Sequence, residues 1–340
     1  MKMQKLRTAI IGFGKMGSGY ADDPVMAPHY PYATHAQVLV DHPVFAWEAV
    51  VDVSDHALDQ ARNRWKILQT YRSLDELAKK YEPDVVVIAT PPQERKKVIE
   101  KLPSLRAVLV EKPLGRTHAE AKSFIEVCNR RGILVQTNYW RRSDTLFREL
   151  ANGKLLELIG APQVVFGLYG NGVLNNGSHM IDLVRMLFGE VIAVQASGIC
   201  KPYVAGPIES DINLSFSLRL SGGVVAEFNP VRFEHYRENG LDIWGERGRL
   251  AILQEGLGIA VHPQRANRAM RDEREIASDM PATLKSTVGD ALYHIYSNLA
   301  DAVHRGEALW SPGLSAMKTQ EIVEYILRSY SQHGSVINLG

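Results

Sequence analysis

The stretch Arg7–Gly17, "RTAIIGFGKMG", decides how the N-terminal half of this chain folds. "RTAII" is a short, mostly apolar run rich in β-branched residues, and it stops on a glycine. Gly12, Gly14 and Gly17 then fit the pattern G-x-G-x-x-G. Each glycine meets a separate demand: a tight turn at the strand end, close approach of backbone to a pyrophosphate, and close packing of helix on strand. Phe13, Lys15 and Met16 complete the candidate loop. Alone, the spacing fits a simple turn equally well. Its place after an apolar strand, at the head of a strand–helix series, makes it a dinucleotide loop.

That series continues to about residue 142. "VFAWEAVVD" (44–52), "KILQTY" (66–71), "DVVVIAT" (84–90), "RAVLVEK" (106–112) and "ILVQT" (133–137) read as strands. Between them, helices open on Ser54 and Ser73, and a third opens on a Thr117-x-x-Glu120 capping box and ends at Gly132. Strands without polar alternation, each followed by a helix, predict a doubly wound parallel sheet covered on both faces. Beyond Tyr139 the texture changes to alternating segments and tight turns, such as "LSGGVV" (220–225), interrupted by the helix "SHMIDLVRMLFG" (178–189). This predicts an α+β second domain with a largely antiparallel sheet, dividing the chain at 1–137 and 138–340. The polar stretch 264–282 is expected to be a mobile surface loop.

Composition narrows the function. Of 340 residues, 39 are basic and 38 acidic, a net charge of +1, which argues against nucleic acid or an anionic membrane surface as partner. No segment is long and apolar enough to span a bilayer. Cys128 and Cys200 are far apart and in no metal-ligand spacing, so neither a metal site nor a disulfide framework is expected, and a cytoplasmic location fits.

Asp52 closes the second strand, where a carboxylate receives the two ribose hydroxyls of an adenosine and repels a 2′-phosphate. NAD is therefore expected over NADP. Asp52 lies 35 residues past Gly17, where about 20 is usual. The excess falls in "SGYADDPVMAPHYPYAT" (18–34), whose prolines forbid a continuous helix. It reads as an insertion in the first turn, with the helix resuming near Thr34. Covering the cofactor, shaping the substrate mouth and covering a subunit contact all remain open for it.

Two further motifs carry chemistry. "ATPP" (89–92) and "EKPLG" (111–115) end the fourth and fifth strands, the edge of a doubly wound sheet that binds ligands, which brings Thr90, Pro91, Glu111 and Lys112 to the cofactor. "NNGSHMIDL" (175–183) places His179 and Asp182 one turn apart at a helix start.

With "GFGKMG", "VVDVSD", "YRSLDEL", "VLVEKPLG", "GSHMIDLVRMLFG" and "IWGERGRL" in this order, the chain resembles the Gfo/Idh/MocA family of sugar and inositol oxidoreductases over essentially its whole length. The resemblance implies a Rossmann domain followed by an α/β domain whose open sheet makes subunit contacts, hence a homodimer or homotetramer. It also implies hydride transfer between a nicotinamide and the hydroxyl or keto carbon of a sugar, cyclitol or nucleotide sugar. Lys112 then stabilises the substrate oxygen, and His179, brought to it from the other domain, exchanges its proton. Glu111 is assigned to the nicotinamide side or the local backbone. The chain departs from the family pattern at Asn175, where many members carry an aspartate, so no negative charge is expected there. Tyr139, Arg141 and Arg142 match a segment that often reaches the substrate. Asp182, Tyr236 and Arg237 are further candidates, with a pairing to Arg185 as the alternative for Asp182. Two other activities share such a scaffold: an NAD-dependent glycoside hydrolase, and a non-enzymatic NAD-sensing regulator.

Overall fold

In a computed structural model, which describes residues 4–201 and 206–339, β1 (Leu6–Ile11) pairs in parallel with β2 (Phe45–Val51) and with β4 (Val85–Ile88). Adding β3 (Gln69–Tyr71), β5 (Ala107–Val110) and β6 (Leu134–Thr137) gives the order β3-β2-β1-β4-β5-β6. Neighbouring strands are parallel throughout, and the order reverses at β1. The period of two explains the apolar strands. Val86, Ile88, Val108 and Val110 face one buried cluster, and Val85, Val87, Ala107 and Leu109 face another. The first cluster is roofed by α3 (Leu74–Lys80), α4 (Arg95–Lys101) and α5 (His118–Arg130). The second is roofed by α1 (His35–Asp41), α2 (Asp55–Asn63) and α9 (Ala291–Arg305).

The local signals act as read. Ser54, Ser73 and Thr117 cap their helices through side-chain oxygens, and Gly132 takes the left-handed conformation with φ +66°. The capping box at Thr117 is only half formed, because the Glu120 carboxylate turns to the backbone N–H of Arg116 at 2.9 Å.

Two compact units emerge: one runs to Asp144 and regains Gly289–Lys318, and the other comprises Thr145–Val288 and the chain from Thr319. A division at 137/138 in chain order does not describe this grouping. The helix α9 belongs to the first unit because Leu292, Ile295, Tyr296 and Leu299 form a stripe at helical spacing that packs beside the short α1. Helix α10 (Gly313–Ser331) continues from the first unit into the second.

In the second unit, α6 (Thr145–Glu149) and α7 (Leu155–Ile159) are separated by a π turn at Leu150–Lys154, where Gly153 has φ +114°. A sheet follows, built from β7 (Pro162–Tyr169), β8 (Val191–Lys201), β9 (Asn213–Leu220), β10 (Val225–Pro230), β11 (Gly240–Gly245), β12 (Gly248–Leu253), β13 (Gly258–Ala266), β14 (Arg274–Ile276), β15 (Ala282–Thr283) and β16 (Ile337–Asn338). The order is β14-β13-β12-β11-β7-β10-β9-β8-β16, with β15 also on β13. β7 and β10 run parallel and the other pairings are antiparallel. The stretch 264–282, expected as a loop, instead contributes the end of β13 and all of β14. Arg265 and Arg268 pair with Glu275 and Asp279, which compensates for the polar sequence there. Helix α8 (Ser178–Phe188) ends at Gly189, φ +90°. Cys128 is buried and unpaired, its thiol pushed up to about 12 by burial. The side chain of Cys200 lies outside the described residues. Among the described residues no helix is long and apolar enough to cross a membrane.

Candidate active site

The three loop glycines meet three different surroundings. At Gly12, φ is +90° and a Cβ would sit 2.8 Å from the backbone of Ala89 and 2.9 Å from the Thr90 side chain. At Gly17 a Cβ would strike the Phe13 backbone at 2.8 Å. At Gly14 nothing lies within 4 Å of an added Cβ, so the backbone is open to the close approach that a pyrophosphate would need. Turn, open approach and tight packing are thus divided among the glycines as the motif requires. Phe13 is core, its ring tilted against Trp47 at 5.9 Å between centroids, and offers only its N–H to the site. Lys15 is exposed and Met16 half-buried.

Asp52 completes this end of the sheet. Its Oδ2 accepts the Phe13 N–H at 2.6 Å and its Oδ1 accepts the Ser54 N–H at 2.8 Å. One donor on each oxygen aims the carboxylate and leaves lone pairs for hydroxyl donors such as a ribose diol. These residues fit an adenosine dinucleotide, which Gly14 would admit and Asp52 would hold by its ribose.

The excess residues run from the glycine loop to the start of α1. The His35 N–H donates to the Met16 carbonyl and the Ala36 N–H to the Gly17 carbonyl, both at 3.0 Å. Residues 18–33 loop out between, and Thr34 with Gln37 forms a capping box for α1. Trp65 Nε1 donates to Ser18 Oγ at 2.8 Å, Arg64 pairs with Asp22, and Tyr32 lies 4.9 Å from Tyr293, ring to ring. The loop is therefore tied to the end of α2 and to α9.

At the other strand ends, Thr90 is half-buried with its Oγ1 lacking a partner, and Pro91 is exposed. Arg95, 2% exposed, donates to the Pro113 carbonyl and, at 3.3 Å, to the Thr90 carbonyl. Burial lowers its guanidinium to about 10, against the attraction of Glu111. One guanidinium therefore joins the loop after β4 to the loop after β5. Sequence reading passed over Arg95, although a charge at the head of the apolar series Arg95-Val98-Ile99-Leu102 marks a buried position.

Lys112 is half-buried and precedes a cis peptide at Pro113. Glu111 turns inward: its Oε1 receives His35 Nε2 at 3.0 Å and Asn138 Nδ2 at 2.7 Å. Burial alone would raise this carboxyl, but His35, Asn138 and the charge of Lys112 prevail and hold it below its ordinary value. Tyr139 is 3% exposed and packs in a core cluster of the parallel sheet. Arg141 is buried, its guanidinium 4.2 Å from the Trp140 ring centroid, and Arg142 is half-buried.

In the second unit, a π turn at Val173–Gly177 runs directly into α8, so His179 stands a turn or more inside a continuous helical run and not at its first residue. It is half-buried. Asp211 caps this run from another segment: its carboxylate accepts the N–H of Leu174 at 3.1 Å, of Asn175 at 2.9 Å and of Ile212 at 2.9 Å. Asn175 is buried, and its neighbour Asn176 donates to the Gly170 carbonyl at 2.9 Å. Asp182, 1% exposed, accepts from Thr319 Oγ1 at 3.0 Å and lies 3.6 Å from Arg185, the pairing that was the alternative to a substrate contact. Tyr236 is 59% exposed, and Arg237 pairs with Glu255.

Comparison with known proteins agrees with this architecture. Residues 6–139 match the family described as "Oxidoreductase family, NAD-binding Rossmann fold", and residues 165–251 match the GFO/IDH/MocA C-terminal domain. Trans-1,2-dihydrobenzene-1,2-diol dehydrogenase from Oryctolagus cuniculus is 30% identical over 205 residues, 55% of this chain and 61% of that protein. Rhizopine catabolism protein MocA from Rhizobium meliloti is 24% identical over 225 residues, 62% of this chain and 65% of that protein. The chain thus spans less than two thirds of these relatives' length. Levoglucosan dehydrogenase in complex with NADH has the same fold, with a TM-score of 0.75 at 17% identity, covering 99% of this chain and 100% of that one. With both domain matches in order along a chain whose first unit carries the glycine loop and Asp52, the protein belongs to the Gfo/Idh/MocA oxidoreductase family and carries its NAD-binding Rossmann fold.

Proposed function

We propose that this protein is an NAD-dependent dehydrogenase that moves a hydride between the nicotinamide and a ring CH–OH or keto carbon of a sugar, cyclitol or nucleotide sugar. The observation that carries this reading is the linkage of three strand ends. Gly12 packs on Ala89 and Thr90, and Arg95 joins Thr90 to Pro113, so the phosphate loop and Lys112 belong to one rigid edge of the sheet. A cofactor laid along that edge runs from Asp52 toward Thr90 and Lys112. The names of the relatives support a ring alcohol: a dihydrobenzenediol in one, and levoglucosan in the NADH-bound neighbour.

NAD supplies the hydride acceptor, and the chain manages the proton. As the alcohol becomes a ketone its oxygen must shed a proton. Lys112 is assigned to stabilise that oxygen and His179 to exchange the proton, with Asn175 ordering the turn before His179. Tyr139, Arg141, Arg142 and Tyr236 are assigned to the substrate. Tyr139, packed in its core cluster, acts through the backbone it fixes. A cytoplasmic, homodimeric or homotetrameric protein is the accompanying reading. Phe166, Leu168 and Val225, exposed on one face of the second sheet by strand alternation and register, support assembly through that face.

The test is absorbance of NADH formed from NAD with a panel of sugars, inositols, nucleotide sugars and trans-cyclohexanediol. Net NADH with at least one of them supports the proposal. Glycoside cleavage without net NADH formation replaces it with the hydrolase reading, and NAD binding without turnover across the panel replaces it with the regulator.

A further inference from the structure

Arg95 opens α4 at the head of a stripe, Val98, Ile99 and Leu102, that lies in the buried cluster beneath that helix. A leucine or methionine would complete the stripe at no electrostatic cost. The chain instead buries a guanidinium almost completely. Its bonds go to two main-chain carbonyls, those of Pro113 and Thr90, and its Nε has no partner. Two carbonyls offset only part of the cost of taking a cation out of water. A guanidinium differs from every other side chain in presenting its donors as a rigid planar fork. With both arms engaged, the fork fixes how far apart two stretches of main chain can stand.

Those two stretches are the loops that leave the sheet after β4 and β5, whose paired residues end at Ile88 and Val110. One carries Thr90, against which the Gly12 turn packs so closely that a Cβ on Gly12 would meet it at 2.9 Å. The other carries Lys112. That second loop is held on both sides of the lysine. Before it, the Glu111 N–H donates to the Ile88 carbonyl at 3.0 Å, and the Glu111 carboxylate meets Asn138 and His35, whose Nδ1 is 2.9 Å from the Tyr296 hydroxyl. After it, Leu114 is buried in the cluster beneath α4, and a Cβ on Gly115 would strike the backbone N of Ala121 at 2.5 Å. The guanidinium acts in the middle, on the carbonyl of the residue that follows Lys112.

We propose that Arg95 is a positioning residue for Lys112: by gripping the carbonyls of Thr90 and Pro113 in one fork, it sets the place of the lysine relative to the loop that receives the cofactor. The inference rests on the reading of Lys112 given above, and it holds whatever else the lysine side chain touches, because Arg95 acts on the main chain beside it. The demand is a chemical one. Displacing a reacting group by about 1 Å costs up to about 10²-fold in rate, and a loop end without such a tie drifts by that much.

The experiment compares Arg95→Met, which completes the apolar stripe, and Arg95→Lys, which keeps the charge and loses the fork, with the wild-type full chain. Amide exchange read by peptide mass spectrometry is expected to quicken about tenfold over residues 111–116 in both variants, while peptides of β1 keep their rates. With NAD and an alcohol that yields NADH, kcat is expected to fall by up to about 10²-fold in both, with NAD affinity changed less than about threefold. Unchanged exchange over 111–116 in folded Arg95→Met, judged by its melting transition, overturns the proposal. So does wild-type kcat in Arg95→Lys, or a loss of NAD affinity as large as the loss of kcat, since Arg95 would then act on the phosphate loop. If Arg95→Met does not fold, Arg95→Lys carries the same readouts. A fully active Lys112→Met would instead remove the lysine from the chemistry. The exchange measurement, which needs neither substrate nor turnover, would still decide whether Arg95 holds the segment.

Discussion

The carboxylate of Asp211 occupies the space that a Cβ on Gly172 would need. Gly172 also has φ +95°, so this glycine is demanded twice, by backbone conformation and by its neighbour. Gly172→Ala is expected to cost about 2–4 kcal/mol, from positive φ plus a displaced cap. Gly132→Ala, at φ +66° with open space around it, should cost only about 1 kcal/mol. Urea unfolding of the two variants measures the difference, and equal losses would mean that Asp211 yields freely.

The loop glycines separate binding from folding. Gly14→Ala is expected to leave the melting temperature within about 2 °C of wild type, since its Cβ meets nothing, and to weaken NAD binding at least about tenfold by blocking close approach. Gly12→Ala drives a Cβ into Ala89 and should lower the melting temperature itself. Thermal melts and NAD titration by intrinsic fluorescence separate the two outcomes.

Cofactor choice should follow Asp52. Wild-type protein is expected to bind NAD more tightly than NADP, because the carboxylate repels a 2′-phosphate. Asp52→Asn should narrow the gap chiefly by losing NAD affinity. Tighter NADP than NAD binding in calorimetry would refute this.

For the reaction, Lys112→Met and His179→Ala should each lower kcat by about 10²–10⁴-fold, with NAD affinity changed less than about threefold. Stopped-flow turnover paired with NAD titration checks both. A variant with near-normal kcat removes its residue from the mechanism.

Acid stability should reflect His42. The Val44 N–H donates to its Nδ1 at 3.3 Å, so the ring is held neutral with Nε2 facing Ser297 Oγ, and burial lowers it to about 4. The folded value lies below the unfolded one, near 6.5, so the unfolded chain takes up the proton first. The resulting stability is complete above that value and is lost as pH falls toward about 4. After discounting for partial exposure, about 1–2 kcal/mol is involved. His42→Gln should flatten the urea-unfolding free energy between pH 6.5 and 4 by that amount.

Local signals carried much of the architecture. Ser54, Ser73 and Thr117 announce helices because a cap is satisfied within three residues. Val85–Ile88 and Ala107–Val110 announce buried parallel strands because both faces of each are apolar. The Gly12–Gly17 spacing and Asp52 are legible for the same reason: backbone demands at a strand end are written in adjacent residues. Even the displaced helix start near Thr34 shows through the prolines before it, and the structure caps it there with Thr34 and Gln37.

What the sequence did not contain was distance in space. His35 and Glu111 are 76 residues apart, and Tyr296 is 261 from His35. Nothing within any one segment says that α9 returns to the parallel sheet or that Arg95 bridges two loops. Nor does any segment say that Asp211 caps the turn before His179. Those pairings are chosen by which apolar faces remain uncovered once the sheet forms, and by the need of each buried polar group for a partner. Both conditions exist only in the folded chain. Periodicity, caps and glycines therefore determined the elements and the dinucleotide loop, while the partners of Glu111 and Arg95 were decided by tertiary packing.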